Sequence, residues 1–170
     1  MSTGSQQTPS SEGKPQVGEQ APDFTLSTQK TGESFHLYDM LGKSATVLYF
    51  YPKDDTPGCT AEACSFRDAN HVMQQRGIKV VGISADNEAS HQKFAEKYDL
   101  PFTLLADTDT HVSQLYGVWK ERNMYGRKFM GVNRETFLID KDGIVRKIWG
   151  KVKPEGHADE VLEVVDSLHL

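Results

Sequence analysis

Two dense apolar runs stand out along the chain, residues 45–51 (Ala-Thr-Val-Leu-Tyr-Phe-Tyr) and 78–85 (Ile-Lys-Val-Val-Gly-Ile-Ser-Ala). Both are short and rich in β-branched or aromatic side chains, so they predict buried strands. Residues 24–27 and 34–36 predict two shorter strands folded about Thr31-Gly32. Residues 61–75 suit a helix. Residues 87–98 predict an amphipathic helix that stops before Leu100-Pro101, because proline disfavours helix in the residue ahead of it. A strand over 102–105 and a short helix over 110–116 follow. Residues 120–134, basic and aromatic with glycines, read as a loop or irregular hairpin. Strands over 135–140 and 144–149 flank Lys141-Asp142-Gly143, a hairpin signal. The last helix, 157–168, repeats apolar residues at Val161, Leu162, Val165 and Leu168, close to helical spacing.

Strands alternating with helices and ending in a hairpin plus helix predict an α/β domain. Its central mixed sheet is covered by helices on both faces, with an N-terminal β-hairpin extension. The thioredoxin-like fold meets that description. Residues 1–16 hold Ser, Thr, Gln and Gly and almost nothing apolar, so they predict a disordered tail ahead of one domain over 17–170. A net charge of −5 gives no electrostatic reason to bind nucleic acid or an anionic membrane. No apolar run approaches the roughly 18 residues of a membrane span. The first residues have no apolar signal core and the first arginine is Arg67, which leaves a cytoplasmic location as the expectation.

The chain has two cysteines, Cys59 and Cys64, both inside Pro-Lys-Asp-Asp-Thr-Pro-Gly-Cys-Thr-Ala-Glu-Ala-Cys (52–64). Their closeness points to redox chemistry in a reducing compartment rather than to a disulfide scaffold. This segment joins the strand at 45–51 to a helix, the place where open α/β sheets put their chemistry. Thr56 suits the helix cap and Pro57 the first helical position, which puts Cys59 in the first turn. Unpaired N–H groups and the helix dipole favour an anion there, so a thiolate is expected. The bland alternative is a small buried hydrophobe, the common fate of a free cysteine. Five residues apart on one helix, the two Cα atoms lie about 8.5 Å apart, beyond the roughly 7 Å that a disulfide spans. A bond between them requires the first helical turns to unwind, which predicts a switch and not a staple.

The pattern Pro52-x-x-x-Thr56-x-x-Cys59, with Glu62 three residues on and Cys64 closing Cys-Thr-x-Glu-Ala-Cys, resembles the active-site signature of the peroxiredoxins. The five-residue cysteine spacing is similar to the bacterioferritin-comigratory-protein/peroxiredoxin Q branch. The resemblance extends through residues 18–26, 47–60, 82–84, 117–120, 124–131 and 134–140. It implies a thiol peroxidase for hydrogen peroxide and organic hydroperoxides, with no cofactor and no metal, monomeric and recycled by thioredoxin or a similar dithiol. On that resemblance Cys59 is the peroxidatic nucleophile and Cys64 the resolving thiol. Thr56 bonds the thiolate and the peroxide, Arg134 lies beside them, and Pro52 shields the thiolate from water. Glu62 is a candidate for orienting Arg134. Asp54 and Asp55 are expected to point to solvent, since a carboxylate close to a thiolate would work against it. The six histidines are scattered without metal-ligand spacing. Lys120, Arg127 and Lys128 read as a solvated basic loop, and Tyr49, Phe50, Trp119 and Phe129 as core or pocket wall.

Two rival functions fit the same fold class. A thioredoxin-like disulfide oxidoreductase uses Cys-x-x-Cys, whereas four residues separate the cysteines here. A Cu(I) chaperone would use soft thiolates and a histidine, but the pair is spaced more widely than the Cys-x-x-x-Cys such proteins use.

Overall fold

The computed structural model describes residues 14–170. The tail expected over 1–16 therefore lies, for residues 1–13, outside the described residues. Lys14 forms an ion pair with the buried Glu135, and Pro15 is buried.

Seven strands form the main sheet in the order β2-β1-β5-β4-β3-β8-β9. They are β1 (Thr25–Thr28), β2 (Ser34–His36), β3 (Ala45–Phe50), β4 (Ile78–Ser84), β5 (Thr103–Ala106), β8 (Glu135–Ile139) and β9 (Val145–Trp149). The connections through α1 (Pro57–Gln75) and α2 (Glu88–Tyr98) make β3, β4 and β5 parallel. The two terminal hairpins pair antiparallel against them, β1 on β5 and β8 on β3. The sheet is mixed, as the element order implied, and the fold is thioredoxin-like.

Every residue of β3 is buried because the strand faces apolar layers on both sides. Val47, Tyr49 and Tyr51 point into a core shared with Phe66 of α1, Phe94 of α2 and Val161 of α4 (His157–Leu168). Leu48 and Phe50 point the other way, against Val112 of α3 (His111–Leu115), Tyr116 and Phe24. This two-sided burial is why residues 45–51 show no polar alternation.

Residues 120–134 fold more regularly than their sequence suggests. They belong to a two-stranded hairpin, β6 (Trp119–Met124) and β7 (Arg127–Val132), separate from the main sheet. Its turn residues Tyr125 and Gly126 both have positive φ, 54° and 78°, as a two-residue primed turn requires. Among the described residues, no helix is long and apolar enough to cross a membrane.

Candidate active site

The site forms where β3 hands over to α1. Tyr51 follows β3 and is buried, Pro52 is half-buried, and α1 begins at Pro57 after a four-residue turn. Thr56 takes the N-cap position with extended backbone, as expected, but its side chain does not cap the helix. Its hydroxyl instead donates to the Lys53 carbonyl at 2.9 Å. Among the described residues, no hydrogen bond joins Thr56 to Cys59.

Helix α1 packs on the sheet through one buried stripe. Cys59, Glu62, Ala63, Phe66, Ala69 and Met73 are buried at helical spacing. Phe66 stacks on the Tyr49 ring with centroids 4.7 Å apart. That ring in turn rests over Gly82 of β4, where a Cβ would stand 2.9 Å from it.

Cys59 and Glu62, three residues apart on one helical face, meet the same guanidinium. Arg134, between β7 and β8, donates from Nη2 to Cys59 Sγ at 3.4 Å and from Nη1 to Glu62 Oε1 at 2.8 Å. Burial opposes the charge on Arg134, but Cys59 and Glu62 together hold its pKa above the ordinary value. Glu62 is fully buried. Burial pushes its carboxyl up to about 7, against the opposing pull of Arg134. Its second oxygen, Oε2, and the buried hydroxyl of Tyr49 have no hydrogen-bond partner among the described residues. Cys59 is only 1% exposed. A guanidinium at its sulfur distinguishes this burial from that of an inert core cysteine.

Cys64 is free and half-buried, and lines a different space. It opens on a cleft of about 480 Å³ between α1 and α4, with Asp68, Ala69, Glu155 and Leu162. Helix α4 is tied to α1 here by the Ala158 N–H, which donates to Ser65 Oγ at 3.1 Å. Pro154, in the loop before α4, sits over Gly58 in the first turn of α1.

The structure thus brings Cys59, Arg134 and Glu62 together, places Pro52 and Thr56 on the adjoining turn, and sets Cys64 one and a half turns along α1. Phe129, expected in the core or a pocket wall, is instead exposed on β7, a strand of the outlying hairpin. Asp54 does not point to solvent: it is buried and bonded to Tyr51 and His91, the latter at 2.7 Å. Asp55 is exposed and pairs with Lys97. His91 and His157 are both buried, His157 bridging Thr136 and Glu160. Among the described residues two His/Asp groups are drawn close enough to hold an ion, Asp54/Asp86/His91 and Asp107/Asp109/His111, and neither includes a cysteine.

A thioredoxin-like sheet with a helix-borne thiol against an arginine defines a thiol-based redox protein. Residues 17–148 match the AhpC/TSA family. A putative peroxiredoxin bcp of Coxiella burnetii is 51% identical over 147 residues, covering 86% of this chain and 96% of the relative. Peroxiredoxin Bcp of Bacillus subtilis is 43% identical over 153 residues, covering 90% and 96%. A structure of the Xanthomonas campestris bacterioferritin comigratory protein, solved for its alkyl peroxide reduction activity, superposes with a TM-score of 0.81 at 37% identity. It covers 86% of this chain and 92% of that one. The chain belongs to the AhpC/TSA family, in the peroxiredoxin Bcp/Q branch, and is a thiol peroxidase.

Proposed function

We propose that Cys59 is the peroxidatic nucleophile, Cys64 the resolving thiol, and Arg134, Thr56 and Pro52 the residues that shape the reaction. The observation that supports this most directly is Arg134 reaching Cys59 Sγ and Glu62 at once. The Cys59 thiolate attacks one oxygen of ROOH. An S–O bond forms, the O–O bond breaks, and the leaving RO⁻ takes a proton to become ROH. Negative charge grows on the departing oxygen, so a fixed, permanently charged donor fork beside the sulfur favours the transition state over the ground state. Thr56 meets the bound peroxide through its hydroxyl oxygen, which accepts from the substrate O–H while its own hydrogen stays on the Lys53 carbonyl. Pro52 closes the site to water.

The Cys64 thiolate then attacks the sulfenic sulfur of Cys59: the S–S bond forms, the S–O bond breaks, and the departing hydroxide takes a proton from solvent to leave as water. Both cysteines lie on α1, so its first turn opens for this step. An external dithiol of the thioredoxin kind returns two electrons and restores both thiols. Organic hydroperoxides are substrates beside hydrogen peroxide, a reading supported by the alkyl peroxide reduction named for the Xanthomonas campestris relative. The chain works as a monomer in the cytoplasm.

Stopped-flow mixing of reduced protein with peroxide tests the assignment. Cys59→Ser abolishes the reaction. Cys64→Ser completes one turnover, then stalls and overoxidises. Equal, modest losses in the two variants would assign the chain to disulfide exchange instead.

A further inference from the structure

The turn that leads into α1 is held by a buried polar cluster that the reaction above does not use. Asp54, 8% exposed, accepts from Tyr51 Oη at 2.6 Å through Oδ1 and from Ser90 Oγ at 2.7 Å through Oδ2. His91 Nδ1 lies 2.7 Å from the same Oδ2. The other ring nitrogen, Nε2, is 2.8 Å from the Leu105 carbonyl. A carbonyl only accepts, so Nε2 bears a hydrogen. Nδ1 faces a carboxylate oxygen, so a further proton lies on the Nδ1–Oδ2 line. Both ring nitrogens are therefore committed, one to the main body of the fold at β5 and one to the turn.

The backbone shows what this clamp controls. The Asp54 N–H donates to Asp86 Oδ2 at 2.8 Å, and Asp86 Oδ2 also accepts from Ser84 Oγ at 2.6 Å. That N–H shares one planar peptide unit with the Lys53 carbonyl. The Lys53 carbonyl accepts the Thr56 hydroxyl at 2.9 Å. Fixing Asp54 at its amide and at its carboxylate fixes the plane of that peptide, and with it the direction of the Thr56 hydroxyl. Asp55 follows with φ +59°, a left-handed conformation that a non-glycine residue holds only when its surroundings dictate it. Burying a carboxylate among these groups costs solvation that an ordinary turn has no need to incur.

The geometry points to Asp54 and His91 as a positioning pair that sets the Thr56 hydroxyl for the attack of Cys59. Neither touches the reacting atoms; both act through the turn. The inference rests on the assignment of Cys59 and Thr56 above, and its test is built to fail separately from that assignment.

Two substitutions at one position divide the ring's two bonds. His91→Asn keeps a donor near Nδ1 for Asp54, and His91→Gln keeps a donor near Nε2 for the Leu105 carbonyl. The first-turnover rate constant with peroxide is expected to fall about tenfold or more in H91Q and to stay within about threefold of wild type in H91N, the scale of small misplacements in a site. Thermal denaturation of both variants supplies the structural control, because a purely structural histidine lowers rate and stability in parallel. The backbone amide shifts of residues 53–59, read by NMR without any turnover, should move in H91Q and hold in H91N. Equal rate losses in the two variants, or unmoved amides in H91Q, overturn the positioning role even where Cys59 proves to be the nucleophile. Wild-type protein inert toward peroxide overturns the assignment of Cys59 instead, and the amide shifts still decide the clamp. Should H91Q not fold, Ser90→Ala, which deletes one bond to Asp54 Oδ2, is expected to move the same amides and slow the first turnover; unmoved amides overturn the clamp there too.

Discussion

Arg134 reaches the Cys59 sulfur and the Glu62 carboxyl at once, and Glu62 lies where burial penalises its charge by more than the one guanidinium offsets. Glu62 shows the consequence, its carboxyl being pushed by burial from the ordinary 4.5 to about 7 despite the arginine. Below 4.5 the folded and unfolded chains both hold this proton. Between 4.5 and 7 the folded chain keeps a proton that the unfolded chain has released, so stability falls as pH rises, and above 7 the full penalty is present. A shift of this size corresponds to about 3 kcal/mol. Glu62→Gln should therefore gain on wild type by up to that amount between pH 4.5 and 8, in urea denaturation at matched ionic strength. A stability difference independent of pH would show that Glu62 does not titrate in this window. At the same site Arg134→Lys preserves the charge but not the fork, and one ammonium cannot replace the contacts to both Sγ and Oε1. The first-turnover rate should fall by about a hundredfold, the cost of losing one fixed donor to a developing charge. Near-wild-type rates in the lysine variant would place the chemistry elsewhere.

At the scale of the element, the start of α1 is weakly built. Its N-cap threonine donates its hydroxyl to the Lys53 carbonyl and accepts from no helix N–H, and Gly58 occupies the first turn. Glycine in a helix costs about 0.5–1 kcal/mol relative to alanine, which changes an opening equilibrium by roughly two- to fivefold. Gly58→Ala should accordingly slow disulfide formation after the sulfenic acid has formed. Its Cβ would also stand 3.0 Å from Arg134 Nη2 and press on the guanidinium. Mass spectrometry after a peroxide pulse should show more sulfinic acid and less disulfide than wild type. An unchanged ratio would mean that opening of this turn does not limit resolution. The sequence marks where this helix starts, since Thr56 and Pro57 are local start signals, but not that the threonine leaves the cap unmade, which depends on the path of the turn before it. The strands were equally legible where burial on both faces left unbroken apolar runs, as at residues 45–51. The β6–β7 hairpin was legible only as a loop or irregular hairpin: most of its residues are exposed, so no alternation marks its regular pairing. Asp54 was misjudged for a related reason. Its partners Ser90 and His91 lie 36 and 37 residues away, and only the return of α2 over the turn brings them to it.

At the scale of the molecule, oxidation and folding must be linked, because the disulfide and the intact first turn of α1 exclude one another. Closing so short a loop constrains the unfolded chain by about 2 kcal/mol, which alone would make the oxidised protein the more stable form. Against this stands what the fold gives up. Cys59 leaves a site where it is 1% exposed. Arg134 loses the sulfur partner of Nη2, a charged hydrogen bond worth about 1.5–3 kcal/mol. The backbone bonds of the opened turn are lost as well, the Thr60 N–H to the Thr56 carbonyl among them, each worth about 1 kcal/mol. The losses exceed the gain, so the reduced protein should unfold at higher urea concentration than the oxidised one, by about 2 kcal/mol. The same difference raises the reduction potential of the disulfide above that of these cysteines in the denatured chain. At 30 mV for each 1.4 kcal/mol of a two-electron couple, the rise is about 40 mV. Paired urea titrations of the reduced and oxidised forms, together with a dithiol redox titration in the native and denatured states, measure both sides of this cycle. Greater stability in the oxidised form would show that the pair at 59 and 64 closes without disturbing the helix, and that the bond is a brace instead of a step in turnover.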